Sequence, residues 1–311
     1  MFHITEDKSN KLVIVMAFRG SGKSTIMNTS NTLWSILSKR KKFVVIASKT
    51  KRQARSHFEN ILNELEYNEL LKSDFGPFNI SPEEGSSYSI VIPSVGAKIM
   101  TIASGVGMRG IRYGSHRPDL IICDDIEDMS FVQTEKSRDL AQQWFITEIM
   151  PAGDGNTQIV VLGNLLHKES LLMKLKKDIE DSKLSGIFRA YPIVDDSGKI
   201  LWPERYSEED IDKLKKQIGD EQTWGREYLL HQPPKSTRFF YYYGQNDPLY
   251  QLAKRQHLEG KRSGKNKRLI DTHLTGYRIS VPIVEDEYAI KSVMCDLQTD
   301  KQTPFDFEEG L

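Results

Sequence analysis

Apolar residues along this chain fall into short runs that are separated by longer polar segments. Six runs have the length of β-strands: residues 12–17, 43–47, 89–92, 98–102, 120–123 and 158–162. The first and the last two of these runs are almost entirely apolar, as expected for central strands that are covered on both faces. The polar segments between the runs are long enough to form helices, so the pattern predicts that strands and helices alternate.

Four of the remaining segments are predicted to be helices: residues 24–38, 51–71, 135–149 and 207–218. In the second of these, apolar side chains recur on one helix face at Ala54, Phe58, Ile61, Leu62 and Leu65. The fourth begins with Ser207 and Asp210, a spacing that is typical of a capped helix start. Together these elements predict an α/β fold with a mostly parallel sheet and helices on both of its faces.

The alternation of strands and helices stops near Trp202 and Pro203. The next segment is polar and leads through two adjacent prolines into a tail that is first aromatic, then basic, then acidic. We therefore predict an α/β domain over residues 1–205, a helical linker over residues 206–240 and a short C-terminal region over residues 241–311.

The 43 Lys and Arg residues balance the 43 Asp and Glu residues, so the net charge points to no class of partner. The basic residues are nevertheless clustered. One cluster without acids comprises Lys39, Arg40, Lys41, Lys42, Lys49, Lys51, Arg52 and Arg55. A second cluster comprises Lys254, Arg255, Lys261, Arg262, Lys265, Lys267 and Arg268. Such clusters can follow a phosphate backbone or form a solvated surface, and the sequence leaves both interpretations open.

Cys123 and Cys295 are the two cysteines, which indicates a reducing compartment and no disulfide framework. The residues after Met1 lack the apolar core of a signal peptide. No run reaches the ~20 apolar residues of a membrane-spanning helix. We therefore expect a soluble, intracellular protein without membrane contact.

A glycine-rich sequence joins the first predicted strand to the first predicted helix. It reads Ala17-Phe18-Arg19-Gly20-Ser21-Gly22-Lys23-Ser24-Thr25. A strand, a glycine-rich turn and a helix in this order form the phosphate loop of P-loop NTPases, in which backbone N–H groups surround phosphate oxygens. In such a loop Lys23 contacts the β- and γ-phosphates and Ser24 ligates Mg²⁺. Ala17 replaces the usual first glycine and is small enough for the turn. The predicted nucleotide contacts are Arg19, Gly20, Ser21, Gly22, Lys23, Ser24 and Thr25.

The predicted strand at residues 120–123 ends in a cluster of acidic residues. Asp124 and Asp125 follow the strand directly, and Glu127 lies just beyond them. Ligands of parallel sheets bind at this carboxyl edge. We predict that Asp124 holds Mg²⁺ and that Asp125 orients and deprotonates a water molecule that attacks the γ-phosphate, with Glu127 as the alternative base.

Three arginines are candidates for stabilising the charge that builds on a transferred phosphoryl group. Arg19 lies inside the phosphate loop, where it can act on the nucleotide of its own subunit. Arg109 and Arg112 precede the acidic strand and can instead serve a neighbouring subunit or bind DNA. For each arginine the alternative interpretation is a surface ion pair.

Four parts of the sequence resemble the large terminase subunits of tailed bacteriophages, the ATPase motors that package DNA into a preformed head. The first is the loop at residues 19–24, with its internal arginine, and the second is residues 108–125, which lead into the acidic strand. Residues 160–167 are similar to the third motif of these motors. Residues 201–205 and 224–229 look like the segment that leads out of their ATPase domain.

The resemblance covers about residues 12–240 and implies an ATP- and Mg²⁺-dependent motor that translocates double-stranded DNA. It implies a portal protein and a small terminase subunit as further partners, a homo-oligomeric ring as the active form, and the cytoplasm of a bacterial host as the location. It also implies that Asn164, where the family often has Thr, couples hydrolysis to movement.

Large terminases usually carry a C-terminal nuclease domain that binds metal ions through several carboxylates. Residues 290–296 resemble the first strand of that domain, which would make Asp296 a metal ligand. Few residues follow Asp296 in this sequence. We therefore expect a truncated or degenerate nuclease in which Asp296 is at most a relic.

Two other functions stay open. An acidic strand end beside a phosphate loop also serves helicases and repair ATPases, although no second motor domain is visible after residue 203. The other alternative is a protein that binds nucleotide or DNA without turnover, such as the remnant of a prophage.

Overall fold

The computed structural model describes residues 1–7, 9–84, 88–129, 132–231, 237–240 and 278–281. The chain divides into two compact units, Met1–Pro233 and Pro234–Leu311. The second basic cluster and Asp296 lie outside the described residues. None of the described helices is both long enough and apolar enough to span a membrane.

The first unit is built on a sheet of eight strands. They are β1 Leu12–Ala17, β2 Phe43–Ser48, β3 Ser81–Glu84, β4 Tyr88–Ile92, β5 Ala97–Ala103, β6 Leu120–Asp124, β7 Gln158–Gly163 and β8 Ile187–Tyr191. Their order in the sheet is β3-β4-β5-β2-β6-β7-β1-β8. β3 pairs with β4, and β4 with β5, in the antiparallel direction, whereas all neighbours from β5 onwards in this order are parallel. All six predicted strands and the mostly parallel sheet are confirmed.

The helices of the first unit are α1 Phe2–Glu6, α2 Thr32–Leu37, α3 Lys51–Tyr67, α4 Glu69–Phe75, α5 Glu135–Trp144, α6 Met150–Ala152, α7 Leu171–Glu180, α8 Glu208–Ile218 and α9 Glu221–Trp224. Wider π-helical turns extend three of them: Thr25–Asn31 leads into α2, Phe145–Ile149 joins α5 to α6, and Gly225–Leu229 follows α9.

Alternate residues of the central strands contribute to two hydrophobic cores, one on each face of the sheet. In β1, Val13 and Val15 pack in the core that contains α3 residues, whereas Ile14 and Met16 pack in the core that contains α7 residues. All four side chains are buried. A strand that is covered on both faces needs an apolar residue at every position, which explains the unbroken run in the sequence.

The strand order brings three predicted motifs to one edge of the sheet. β7 lies between β1 and β6, so that Leu162 of β7 is the partner of Val15 on one side and of Asp124 on the other. Because the three strands are parallel, the segments that follow them meet at the same carboxyl edge. These segments are the phosphate loop, the acidic residues and the segment of Asn164.

The predicted helix at residues 51–71 is in fact two helices. The break is at Asn68, whose backbone is extended and whose side chain accepts a hydrogen bond from the Leu71 N–H at 3.0 Å. Asparagine competes in this way with the helical backbone for hydrogen bonds, and an apolar period does not reveal the competition. The predicted helices at residues 24–38 and 135–149 are each present with a π-helical turn.

The helix α7 and the strand β8 were not among the predicted elements. β8 is an edge strand whose side chains are partly or fully exposed, so its sequence contains no apolar run. In contrast, the predicted capped helix start at Ser207 is confirmed, because the Ser207 and Asp210 side chains each bond the backbone N–H of the other.

In the second unit the structure describes β9 Thr237–Phe240 and β10 Arg278–Val281, which pair in the antiparallel direction. The divisions at residues 205 and 240, and the nuclease-like region, stay predictions.

Candidate nucleotide site

The phosphate loop follows β1 and takes a tight conformation that its glycines permit. Gly20 and Gly22 have φ angles of 86° and 75°, a region that most side chains disfavour. A Cβ atom at Gly20 would also lie only 3.1 Å from the Tyr206 hydroxyl. Helical bonding begins at once, since the Ile26 N–H donates to the Gly22 carbonyl at 2.9 Å. The loop therefore ends at a helix start, where the first backbone N–H groups have no acceptor within the helix and suit an anion.

Lys23 and Asp125 meet at the carboxyl edge of the sheet. The Lys23 Nζ atom lies 3.1 Å from Asp125 Oδ2, and the exposed fraction of the Asp125 side chain is 40%. Asp125 has a φ angle of 45°, which Asp and Asn tolerate better than most residues. Its N–H donates to the Leu162 carbonyl of β7 at 3.1 Å. The chain thus turns sharply after β6 and directs this carboxylate towards the phosphate loop.

Asp124 is the last residue of β6 and is 3% exposed. Its Oδ2 accepts a hydrogen bond of 2.6 Å from Asn28 Nδ2, and His57 Nε2 lies 3.4 Å from the same oxygen. Its Oδ1 is buried and has no hydrogen-bond partner among the described residues. A buried carboxylate oxygen is costly to leave without a partner, so this oxygen is an available ligand.

Mg²⁺ fits the residues that are present. The described residues contain no group of three or more His, Cys, Asp or Glu side chains that could hold a metal ion by themselves. Mg²⁺ does not require such a group, because it binds one or two protein oxygens and takes its other ligands from water and phosphate. Ser24, at the start of the helix, and the unpartnered Oδ1 of Asp124 are oxygen ligands of this kind.

Glu127 is buried and contacts the start of α7. Its Oε2 accepts a hydrogen bond of 2.7 Å from the Leu171 N–H, a favourable place for a carboxylate. Burial nevertheless raises the pKa of Glu127 to about 7. Its Oε1 has no hydrogen-bond partner within the described part of the chain. Glu127 is thus already engaged in the packing of a helix.

The three candidate arginines lie in different surroundings. Arg19 is exposed, and its Nη1 lies 3.0 Å from Glu227 Oε2 while its N–H donates to the Glu227 carbonyl at 2.9 Å. The Arg109 Nε atom lies 3.2 Å from the Glu148 carboxylate, and Arg112 is exposed. Of the three, Arg19 borders the cleft described next.

A cleft of about 420 Å³ opens along the carboxyl edge of the sheet, a volume within the usual range of ligand sites. Predicted site residues in its lining are Arg19, Asp125, Glu127 and Asn164. Asn164 follows β7, and its Oδ1 is buried without a hydrogen-bond partner among the described residues. The cleft therefore joins Arg19, the acidic strand end and the Asn164 segment, whereas residues 20–25 of the loop and Asp124 are not part of its lining.

The fold divides the first basic cluster between the two ends of β2. Lys49 and Arg52 line the cleft at the carboxyl edge. Arg40 and Lys41 lie at the opposite edge, beside a cavity of about 280 Å³ that contains none of the predicted site residues. The cluster is thus continuous in sequence but is not one surface in space.

Aromatic residues from late in the first unit pack against the phosphate loop, and sequence reasoning did not assign them. The Phe18 and Tyr206 rings meet edge to face at 5.7 Å. Phe18 shares a small core with Trp224 and Tyr228, and its N–H donates to the Tyr191 carbonyl at 3.0 Å. These contacts join distant parts of the chain, so no local pattern signals them.

Comparison with known proteins identifies the fold. No protein-family model and no curated protein match the sequence. Solved structures do match: the large terminase of bacteriophage HK97 has a TM-score of 0.50 and 14% identity, and the match covers 76% of this chain and 54% of that one. An ATPase domain of the Thermus phage P74-26 large terminase has a TM-score of 0.48 and 13% identity, with 73% and 91% covered.

The large terminase of a thermophilic bacteriophage, in complex with ADP, matches with a TM-score of 0.44 and 11% identity, covering 76% of this chain and 58% of that one. The present chain thus spans about half the length of the HK97 terminase. Identities this low carry the fold and not the activity. The chain therefore has the P-loop fold of the bacteriophage large terminases.

Proposed function

We propose that this chain is a DNA-packaging ATPase, a large terminase subunit that hydrolyses ATP with Mg²⁺ to move double-stranded DNA. The observation that carries the proposal is the 3.1 Å contact between Lys23 Nζ and Asp125 Oδ2. It joins a phosphate loop to an acidic strand end that lies far away in the sequence. Both belong to a fold that this chain shares with the HK97 large terminase.

The loop at residues 19–25 is the proposed phosphate site. Its backbone N–H groups surround the phosphates, and Lys23 contacts the β- and γ-phosphates. An ATP molecule in the loop replaces Asp125 as the partner of the Lys23 ammonium group. The Asp125 carboxylate is then free to bind a water molecule in front of the γ-phosphate.

Asp125 is the proposed base of the hydrolysis step. It takes a proton from the water as the water oxygen bonds to the γ-phosphorus, and the bond from that phosphorus to the bridging oxygen breaks to leave ADP and phosphate. Ser24 and Asp124 would hold Mg²⁺, which would supply positive charge to balance the β- and γ-phosphates. Glu127 is the weaker candidate for the base, because its Oε2 already accepts a hydrogen bond from the Leu171 N–H.

Arg19 and Asn164 are the proposed links between the phosphates and the rest of the molecule. Arg19 pairs with Glu227 across 3.0 Å and borders the cleft, which supports a role for its guanidinium group in stabilising charge on the γ-phosphate. Asn164 follows the strand that separates the loop strand from the acidic strand. We assign Arg109 and Arg112 to a neighbouring subunit or to DNA.

The proposed partners are double-stranded DNA, a portal protein and a small terminase subunit, with a homo-oligomeric ring as the active form in the cytoplasm of a bacterial host. Nuclease activity is not part of the proposal. If the purified chain cuts plasmid DNA with Mn²⁺ and Asp296→Ala abolishes the cutting, the expectation of a degenerate nuclease is wrong.

The test is steady-state ATP hydrolysis with Mg²⁺, with and without double-stranded DNA at low salt, using Lys23→Ala as the blank. We expect turnover that duplex DNA raises and that the variant lacks. Nucleotide binding without turnover, even with portal and small subunit added, would reject the motor in favour of a non-catalytic protein. Strand displacement on a forked duplex would favour a helicase instead.

A further inference from the structure

Two side chains that have no role in the mechanism above converge on the buried carboxylate at the end of β6. Asn28 Nδ2 lies 2.6 Å from Asp124 Oδ2, and His57 Nε2 lies 3.4 Å from the same oxygen. Asn28 Nδ2 also lies 3.3 Å from His57 Nδ1. Asn28 is fully buried in the helical segment after the phosphate loop, and His57 is on α3. Residues from three separate elements thus meet at one oxygen atom.

We propose that Asn28 and His57 are positioning residues that hold the Asp124 carboxylate with Oδ1 directed at the metal ion of the bound nucleotide. The inference rests on the proposed binding of ATP and Mg²⁺. It assigns to these two side chains the orientation of a metal ligand, and it assigns them no contact with the nucleotide.

The two oxygens of Asp124 have opposite situations. Oδ2 lies beside Asn28 and His57, whereas Oδ1 is buried without a hydrogen-bond partner among the described residues. A carboxylate that is free to rotate would present either oxygen. A short hydrogen bond to one oxygen fixes the plane of the group and leaves the other oxygen as the ligand.

The position of Asn28 in the helix agrees with this role. Asn28 lies four residues after Ser24, so both side chains are on the same face of the helical segment, about one turn apart. Ser24 is at the start of the helix beside the proposed phosphate site, and Asn28 lies about one turn further along the helix. The residue that ligates the metal and the residue that orients its second ligand therefore come from the same face.

The chemistry of the two neighbours also favours this role. An amide oxygen at this position would face a carboxylate oxygen, so the atom directed at Asp124 must be the amide nitrogen. Neither neighbour is a Lys or Arg side chain. A permanent cation at this place would compete with Mg²⁺ for the carboxylate, whereas an amide donor leaves the negative charge available to the metal ion.

The test compares Asn28→Leu, which removes the donor at similar volume, with Asn31→Leu as the matched control. Asn31 is in the same helical segment and is 2% exposed, but it lines the cavity at the opposite edge of the sheet. The measurement is the Kd of a non-hydrolysable ATP analogue, by calorimetry, with Mg²⁺ and with EDTA.

We expect Asn28→Leu to weaken analogue binding about tenfold in Mg²⁺ and to raise the Mg²⁺ concentration of half-saturation by a similar factor, because the loss of an orienting partner typically costs about 10–100-fold in metal affinity. Binding in EDTA should be unchanged, and Asn31→Leu should match the wild type in both media. An equal loss with and without Mg²⁺, or no loss, would overturn the inference.

His57 provides a second test for the case that Asn28→Leu does not fold. Its side chain is 17% exposed, so its substitution disturbs the core less than that of the fully buried Asn28. His57→Ala should raise the Mg²⁺ midpoint, and His57→Gln, whose amide nitrogen reaches the same place, should restore it. If both variants match the wild type, or if Gln fails where Ala fails, the role of His57 is rejected. A wild-type protein that binds no analogue would instead reject the proposed function itself.

Discussion

Asp125 and Glu127 are close in sequence, yet the fold gives their carboxylates different surroundings. Asp125 is 40% exposed and contacts Lys23, so its environment is that of the phosphate loop. Glu127 is 8% exposed and accepts a hydrogen bond from the first turn of α7. The exposed carboxylate is suited to a water molecule in the cleft, and the buried one to holding a helix.

Substitution of the two acids tests whether Asp125 is the base, as proposed, and Glu127 a structural residue. Asp125→Asn keeps the size and the tolerance for a positive φ angle, so we expect ATP binding to persist while kcat falls at least about 100-fold. Glu127→Gln should keep kcat within a few-fold of the wild type. Measurement of kcat and of the Kd for ATP decides between them, and the reverse order of effects would make Glu127 the base.

Glu127 also makes the stability of the protein depend on pH. Its pKa is raised from 4.5 to about 7 by burial, so between these values the folded chain holds a proton that the unfolded chain has lost. The free energy of unfolding therefore falls as the pH rises through this window. One pKa unit corresponds to about 1.4 kcal/mol, so the loss by pH 8 is about 3 kcal/mol.

Glu127→Gln should remove this dependence, because an amide stays neutral and its oxygen can still accept the Leu171 N–H. We expect the free energy of unfolding of the variant, measured with denaturant, to rise relative to that of the wild type between pH 5 and pH 8. Parallel pH profiles for the two proteins would show that the carboxyl group is not the cause.

At the scale of elements, single polar residues decide where helices end. Asn68 closes α3 and starts α4, where its side chain accepts the Leu71 N–H. Thr50 and Gln53 form the capping box at the other end of α3, and both also line the cleft. Helix ends therefore set the position of the side chains beside the candidate site.

The break at Asn68 can be tested by Asn68→Ala, with Asn63→Ala as the control at an exposed position inside α3. Loss of the capping bond should lower the free energy of unfolding by about 1 kcal/mol. The control should be neutral or slightly stabilising, since Ala is the better helix former. Equal effects of the two substitutions would contradict the assigned role of Asn68.

The elements that the sequence predicted are those with local signals. The strand, loop and helix around Lys23 combine an apolar run with glycines, and the strand before Asp124 is an apolar run that ends in acids. The partners of these motifs had no such signal. Asn28 and His57 reach Asp124, and Glu227 reaches Arg19, because the fold brings distant segments together.

At the scale of the whole molecule, the sheet separates charges that are neighbours in the sequence. Lys49 and Arg52 border the cleft, whereas Lys39 and Lys42 precede β2 at the opposite edge. The two pairs carry equal charge, so they can be compared directly.

Replacement of Lys49 and Arg52 by Gln should raise the KM for ATP about tenfold, because positive charge that attracts phosphates leaves the lining of the cleft. Replacement of Lys39 and Lys42 by Gln should leave that KM unchanged. Hydrolysis kinetics without DNA measure both. A rise of similar size in the two double variants would mean that total charge, and not position, controls nucleotide affinity.

The extent of the first compact unit gives a further prediction. The first compact unit ends at Pro233, and the Glu227 carbonyl accepts the Arg19 N–H of the phosphate loop at 2.9 Å. We therefore expect a chain of residues 1–233 to bind ATP and a chain of residues 1–205, the boundary expected from the sequence, to lose binding. Retention of binding by the shorter chain would show that the aromatic contacts are dispensable.

The backbone hydrogen bond between Arg19 and Glu227 also has a consequence for biosynthesis. The ribosome makes the partner that secures this loop more than 200 residues after it makes the loop itself. When Lys23 and Asp125 of a nascent chain have already left the ribosome, the loop still lacks the hydrogen bond to Glu227 that supports it. If the loop binds nucleotide as proposed, the newly made protein should acquire this affinity abruptly, near the end of the synthesis of the first unit.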